Sequence, residues 1–142
     1  MKLQHRIDLL IELGQYILKD SGELQEAKLK AAAENGWFNP EFQEQALQNI
    51  AAAFLQKEAL EKWVQSYPNL SADFTSKRIG IIMAGNIPLV GFHDWLSVFI
   101  SGHQAHVKPS SKDQALIRHL VQKLAGWEPG MATQTIFSEM LK

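Results

Sequence analysis

Residues 78–113 constrain the possible folds of this chain more than any other stretch. They open with an apolar run rich in isoleucine, pass through a turn that carries Asn86, and then become amphipathic. A second short apolar run, 105–107, ends at Lys108. This order is typical of a buried parallel strand whose crossover helix returns to a neighbouring strand. The sequence therefore predicts a βαβα unit within an α/β fold.

Two polar side chains stand where such strands end, and parallel sheets bind ligands at that edge. The Asn86 amide can donate a hydrogen bond to an oxygen that becomes negative during attack on a carbonyl. Its spacing alone also fits a simpler use, the capping of the following helix. Lys108 can meet a ribose hydroxyl or a phosphate, or it can extend into solvent from the strand end. Both alternatives stay open for each residue.

Composition excludes several functional classes. The chain has 142 residues, 46% of them hydrophobic, which is enough for one domain with a real core. A net charge of -1 gives no electrostatic case for binding nucleic acid or an anionic membrane. The longest apolar stretch is too short to span a bilayer, and a cytoplasmic location is expected. With no cysteine, the chain contains no disulfide and no thiol nucleophile.

Residues 1–70 are predicted to form a helical layer ahead of the first strand, and 71–142 a partial nucleotide-binding α/β domain. Asp20 with Glu23 resembles a capping box at the start of the second helix. Asn39 and Pro40 fit the N-cap and the first residue of the third helix. The aromatic residues of this layer are expected to pack in the core. They are Trp37, Phe38, Phe42, Phe54, Trp63 and Tyr67.

The remaining segments carry weaker signals. Residues 69–77 are polar and without periodicity, which predicts a connector. Ser111 and Asp113 suit the start of a helix whose buried stripe follows them. Thr135-Ile-Phe137 is predicted as a short strand or a loop leading to one. His103 and His106 have no supporting carboxylate cluster, so no metal site is predicted.

Two motifs together resemble one protein family. Gly85-Asn-Ile-Pro-Leu89 and Lys108-Pro-Ser-Ser111 are similar to turns of the aldehyde dehydrogenase superfamily. The closer resemblance is to its fatty acyl-CoA reductases of the bioluminescence type, through Ala84-Gly-Asn-Ile-Pro-Leu-Val-Gly-Phe92 and Lys108-Pro-Ser-Ser-Lys-Asp113. Trp37, Phe38, Pro40, Trp63 and Tyr67 also match positions in the leading helices of that branch. The similarity covers the chain from about Trp37 onward.

The resemblance implies a fold and a site. The fold is a helical N-terminal layer followed by the first βαβα of an aldehyde dehydrogenase-like, Rossmann-type cofactor domain, incomplete within this chain. Asn86 takes the oxyanion role, and the cofactor-binding residues are Ala84, Gly85, Lys108, Ser110 and Ser111. Ser111 stands where many aldehyde dehydrogenases carry a glutamate that holds the ribose 2′-hydroxyl, so NADPH is the expected cofactor. An open sheet with exposed edges and apolar surface is also expected.

The expected function is that of the N-terminal part of an NADPH-dependent fatty acyl-CoA reductase. Its substrate would be fatty acyl-CoA or a related acyl thioester, reduced to the aldehyde. The family attacks the acyl group with a cysteine that this chain lacks, so the chain alone should be inactive and should pair with the remainder of the reductase or with itself. Two alternatives stay open: a non-catalytic, self-associating or partner-binding α/β module, and a fragment of an NAD-dependent aldehyde dehydrogenase.

Overall fold

A computed structural model describes residues 1–71 and 74–140 and shows a mixed α/β protein. The first helices are α1 (Leu3–Lys19), α2 (Gly22–Glu34), α3 (Pro40–Ala53) and α4 (Lys57–Gln65), followed by a 3-10 turn at Pro68–Ser71. Then come β1 (Arg78–Ile82), α5 (Phe92–Ile100), β2 (Gln104–Lys108), α6 (Ala115–Trp127), α7 (Met131–Gln134) and β3 (Thr135–Phe137). The predicted order of four helices, strand, helix, strand and helix is confirmed, and 135–137 is a strand. The 3-10 turn and α7 were not predicted. The predicted connector, 69–77, lies partly outside the described residues.

The helix caps follow the sequence signals at one position and depart from them at another. Asn39 caps α3, and its side chain accepts a hydrogen bond of 2.9 Å from the Phe42 backbone N–H. The predicted capping box at Asp20 is wrong. Asp20 has a left-handed backbone, φ 49°, and closes α1, so the cap of α2 falls to Ser21.

The three strands form one parallel sheet in the order β1-β2-β3. In the register of the sheet Ile81 pairs with Val107, and Val107 pairs with Phe137. Because side chains alternate along a strand, these three share one face of the sheet. The opposite face carries the alternate residues, including Ile82, which is 72% exposed, and the exposed Ile136. The expected apolar surface is therefore present on that face.

Both crossover helices pack on the Val107 face of the sheet. From α5, the Trp95 indole N–H donates to Thr135 Oγ of β3 over 2.9 Å. From α6, the Arg118 guanidinium lies 4.7 Å from the centre of the Phe137 ring. Right-handed crossovers between successive parallel strands place their helices on the same side, which explains the arrangement.

One continuous hydrophobic core joins the helical layer to the sheet. Leu10 and Leu13 of α1, Phe99 of α5 and Val107 of β2 belong to a single cluster of buried side chains. The guanidinium of the buried Arg6 donates from Nε and Nη2 to the Ile100 carbonyl, at 3.2 and 3.1 Å, and so links α1 to the end of α5. The boundary predicted at residue 70 stays a prediction, because the two parts share this core.

Candidate functional site

The turn between β1 and α5 is held by a carboxylate from a distant part of the sequence. Asp113 accepts a hydrogen bond of 2.9 Å from the Leu89 backbone N–H through Oδ2. Leu89 has a left-handed backbone, φ 58°, a conformation that costs about 1 kcal/mol or more for a residue with a side chain. Helix α5 begins after Gly91 without a side-chain cap of its own. Asn86 therefore does not cap this helix, and the simpler use of that side chain is not observed.

The two sequence motifs touch each other at the carboxyl edge of the sheet. The Met83 backbone N–H extends the ladder by donating to the Lys108 carbonyl over 3.0 Å. A Cβ atom at Gly85 would lie 2.8 Å from Ser110 Cβ and nearer still to its hydroxyl oxygen. Real side chains do not approach so closely, so only glycine allows this contact. Gly85 and Ser110 are thus brought together by the packing of one motif against the other.

The second motif folds into a tight loop, Ser110–Asp113. The Asp113 backbone N–H donates to the Ser110 carbonyl over 3.1 Å, and the Lys112 N–H donates to Ser110 Oγ over 3.2 Å. The Ser110 hydroxyl oxygen is therefore already engaged within the loop. Ser111 and the Lys112 side chain are exposed to solvent.

Burial perturbs the Asp113 carboxyl group. The residue is only 6% exposed, and desolvation raises the pKa of Asp113 to about 6. The hydrogen bond from the Leu89 backbone N–H and the nearby Val90 N–H lower this pKa in part, whereas the charge of Glu34 raises it. Within the described residues, the second carboxyl oxygen, Oδ1, is buried without a hydrogen-bond partner. At neutral pH the Asp113 carboxyl group is therefore ionised, although its desolvation costs free energy.

An uncharged groove of about 390 Å³ lies beside Asn86. It is lined by Trp37, Phe38, Phe42, Gln45, Ala46, Asn49, Asn86, Ile87 and Pro88. Phe38 is 2% exposed, as predicted, but Trp37 is 84% exposed and Phe42 is exposed on α3. The prediction that these last two residues pack in the core is wrong, because they line the groove. It is also wrong for Tyr67, which is 57% exposed. Exposed aromatic side chains that lie together often mark a binding surface.

Asn86 is the polar group of this groove closest in sequence to the end of β1. Its side chain is exposed, and it makes no hydrogen bond with any residue in the described ranges 1–71 and 74–140. The amide is therefore free to donate to a ligand. Its neighbours in the wall, Ile87 and Pro88, add apolar surface next to that donor.

The aromatic wall is tied to the second motif through Asn35. The Asn35 amide nitrogen donates to the Lys112 carbonyl over 3.2 Å, and its Oδ1 accepts from the Trp37 backbone N–H over 3.0 Å. One side chain thus fixes both the α2–α3 turn and the Ser110–Asp113 loop. This link sets the distance between Trp37 and the edge of the sheet.

Lys108 stands apart from the groove. It ends β2 opposite Ile82 in the register of the sheet, half-buried on the open face. The groove beside Asn86 is not lined by Lys108, Ser110 or Ser111. The structure therefore places the predicted residues in two neighbouring positions, the Asn86 groove and the Lys108–Lys112 loop.

The Lys108–Lys112 loop suits an anionic ligand. Lys108 and Lys112 supply positive charge, and the exposed Ser111 supplies a hydroxyl donor. The nearest carboxylate in sequence, Asp113, is turned inward to the Leu89 N–H and is not presented to solvent. The loop therefore presents positive charge and a hydroxyl donor to solvent without an exposed carboxylate of its own.

Two of the histidines near the sheet have structural contacts. His103 Nδ1 accepts from the Lys77 backbone N–H over 3.1 Å, and the His93 ring lies 5.1 Å from the Phe54 ring, centre to centre. In residues 1–71 and 74–140, no three His, Asp or Glu side chains group closely enough to hold a metal ion. None of the helices in the same ranges has the length and hydropathy needed to cross a bilayer.

Sequence reasoning missed two residues that build the site. Ser111 and Asp113 do not cap α6 as predicted, because the helix begins at Ala115 without a side-chain cap. Asp113 instead contacts Leu89 across 24 positions of sequence, a contact that has no local signal. Asn35 contacts Lys112 across 77 positions. Comparisons with protein-family models, with curated proteins and with solved structures gave no match.

Proposed function

We propose that this chain forms the part of an NADPH-dependent fatty acyl-CoA reductase that carries the oxyanion donor and the first cofactor loop. The observation that carries the proposal is the unpaired Asn86 amide in the wall of an uncharged, aromatic groove. Such a groove accepts a long apolar chain and places its polar end beside the amide. The similarity of the two motifs to the bioluminescence-type reductases supports the same assignment.

Asn86 acts on the carbonyl oxygen of the acyl thioester in this proposal. When a thiolate attacks the carbonyl carbon, the oxygen gains negative charge and the amide N–H stabilises it. A preorganised donor of this kind is worth about 3 kcal/mol of the barrier. The chain has no cysteine, so the thiolate comes from another polypeptide segment, and the chain alone has no reductase activity.

NADPH, when bound, would supply the hydride to the acyl carbon once the coenzyme A thiolate has left, and the enzyme thiolate would leave as the aldehyde forms. Lys108, Ser111 and Lys112 hold its ribose and 2′-phosphate through charge and hydrogen bonds. Ala84 and Gly85 form the backbone at the end of β1, where Gly85 also lets Ser110 approach. We place the protein in the cytoplasm, the compartment expected from its composition.

Direct titration with cofactor tests this proposal. We expect NADPH to bind more tightly than NADH, as measured by the change in NADPH fluorescence or by calorimetry. Lys108→Ala should weaken NADPH binding, whereas Lys57→Ala, an exposed lysine on α4, should not. Equal binding of NADH and NADPH would favour the alternative of an NAD-dependent aldehyde dehydrogenase fragment, and unchanged affinity in Lys108→Ala would remove that residue from the site.

The oxyanion role has its own test in a complete enzyme. There Asn86→Ala should lower turnover by about 100-fold while the affinity for NADPH is unchanged. Asn49→Ala is the matched control, because Asn49 is an exposed amide in the same groove. An equal loss of turnover and cofactor affinity in Asn86→Ala would contradict the role.

A second function, that of a self-associating or partner-binding module, is favoured by the open sheet face. Ile82 of β1 is 72% exposed there, and Ile136 of β3 is exposed on the same face with β2 between them. Exposed apolar side chains on an open sheet tend to be covered by another protein surface. Ile82→Lys should then shift the sedimentation-equilibrium mass from a multiple of 16.0 kDa to that of the monomer. A monomeric wild-type chain would count against self-association.

A further inference from the structure

We propose that Asp113 is a positioning residue that fixes the Asn86 amide, and that the Ser110–Asp113 loop and the Asn86 turn form one coupled unit. The inference rests on the proposed function only for the role of Asn86. The coupling itself follows from contacts within this chain. Asp113 does not cap helix α6, which begins at Ala115 after Gln114 without a side-chain cap, so its contact with the turn is its observed role.

The Ser110–Asp113 loop holds the turn at two points, one on each side of Asn86, and we call this pair of contacts the clamp. Before Asn86, Gly85 lies against Ser110, where a Cβ atom would come within 2.8 Å of the Ser110 Cβ. After Asn86, the Leu89 N–H donates to Asp113 over 2.9 Å. Asn86 thus lies between two points at which the same loop holds the turn. Movement of the loop would therefore move the backbone that carries Asn86.

The loop is rigid enough to act as a clamp. Its two internal hydrogen bonds join Ser110 to Lys112 and to Asp113, and the Asn35 amide holds the Lys112 carbonyl from the helical layer. The turn it clamps is strained, since Leu89 has φ 58°. A strained backbone persists only where its surroundings impose it. Asp113 supplies that constraint through the Leu89 N–H.

Ionisation of Asp113 strengthens the clamp. A carboxylate accepts a hydrogen bond more strongly than a neutral carboxyl group does. The groups that face Asp113 are the N–H groups of Leu89 and Val90 from the turn and the charge of Glu34 from α2, with Lys112 next to it in the loop. Burial places the pKa of Asp113 at about 6, so the clamp is fully ionised only above that pH.

Nuclear magnetic resonance of the full chain tests the coupling without any ligand. In the wild-type protein, the Leu89 and Val90 amide protons should move downfield as pH rises, with a midpoint near pH 6. The side-chain amide resonances of Asn86 should follow the same titration. Asp113→Asn should abolish this titration in both sets of resonances. It should also speed hydrogen exchange of the Leu89 amide by about tenfold, the effect expected from the loss of one charge-assisted hydrogen bond.

Asp94→Asn is the matched control, because Asp94 is an exposed carboxylate in the first turn of α5. It should leave both titrations intact. The proposal is overturned if the Asn86 amide does not titrate with Leu89 in the wild-type protein, a result that does not depend on any variant folding. It is also overturned if Asp113→Asn leaves the Leu89 exchange rate unchanged. Failure of cofactor or acyl binding would contradict the proposed function and leave these resonances unaffected.

Discussion

Replacing Asp113 by asparagine should make the protein more stable at neutral pH. The native state raises the pKa of Asp113 from 3.8 to about 6, mainly because the carboxylate is desolvated. The native protein therefore binds the Asp113 proton more tightly than the unfolded chain does. Stability from this group is present below the unfolded pKa and is lost as pH rises through the folded pKa. Asparagine keeps an acceptor oxygen for Leu89 and has no charge to desolvate.

The magnitude follows from the size of the shift. A displacement of about two pKa units, at ~1.4 kcal/mol per unit, gives about 3 kcal/mol of lost stability above pH 7. Between pH 4.5 and 7 the free energy of unfolding of Asp113→Asn, relative to wild type, should rise by about 2 kcal/mol. Burial lowers the pKa of His119, which makes stability rise with pH in the same window. That contribution is common to both proteins and cancels in the difference.

Urea unfolding followed by far-UV circular dichroism measures this difference. Wild type, Asp113→Asn and the control Asp94→Asn are compared at pH 4.5, 6 and 7, and two-state behaviour is checked by tryptophan fluorescence. A difference in the free energy of unfolding between Asp113→Asn and wild type that is independent of pH would contradict a raised pKa of Asp113. It would show that Asp113 ionises in the native protein as easily as in the unfolded chain. If Asp113→Asn raises the free energy of unfolding and also speeds exchange of the Leu89 amide, then Asp113 positions the turn at a cost in stability.

Two further predictions concern the packing of the site. Gly85→Ala should lower the free energy of unfolding in urea by about 1–3 kcal/mol, because its Cβ overlaps Ser110. Ser110→Gly in the same chain should restore most of the loss. Gly126→Ala is the control and should not destabilise the protein, because no neighbour lies within 4 Å of that position. Phe38→Ala should cost about 3–5 kcal/mol by emptying a buried position, whereas Trp37→Ala should change the free energy of unfolding by less than ~0.5 kcal/mol; similar losses for both would mean that Trp37 packs in the core.

The sequence was sufficient for the α/β framework because its signals there are local. The isoleucine-rich run and the turn at Asn86 predicted β1 and the start of the crossover, and the Asn39-Pro40 pair predicted the start of α3. Parallel pairing of 105–107 with β1 follows from the length of that crossover. Each of these features depends on neighbouring residues and on strong backbone preferences.

The site could not be predicted to the same degree, because its contacts join distant segments. Trp37 carries the same hydrophobic signal as Phe38, yet one faces solvent and the other the core. The turn that orients them is held by Asn35 through hydrogen bonds from both backbone N–H groups. Asp113 is a residue type that is common at helix starts. Its contact with the Leu89 turn, 24 positions earlier, is seen only in the folded structure. The roles of Asn86 and Lys108 remain proposals.

Binding of an acyl thioester analogue at the Asn86 groove is the most direct test of the account. A non-hydrolysable thioether analogue of a long-chain acyl-CoA is titrated into the ¹⁵N-labelled chain, with coenzyme A alone as the control. The account predicts saturable shifts of the Trp37 indole and the Asn86 side-chain amide, absent with coenzyme A alone and weakened in Trp37→Ala. Shifts confined to the open sheet face around Ile82, or no shifts at all, would contradict an acyl site at Asn86.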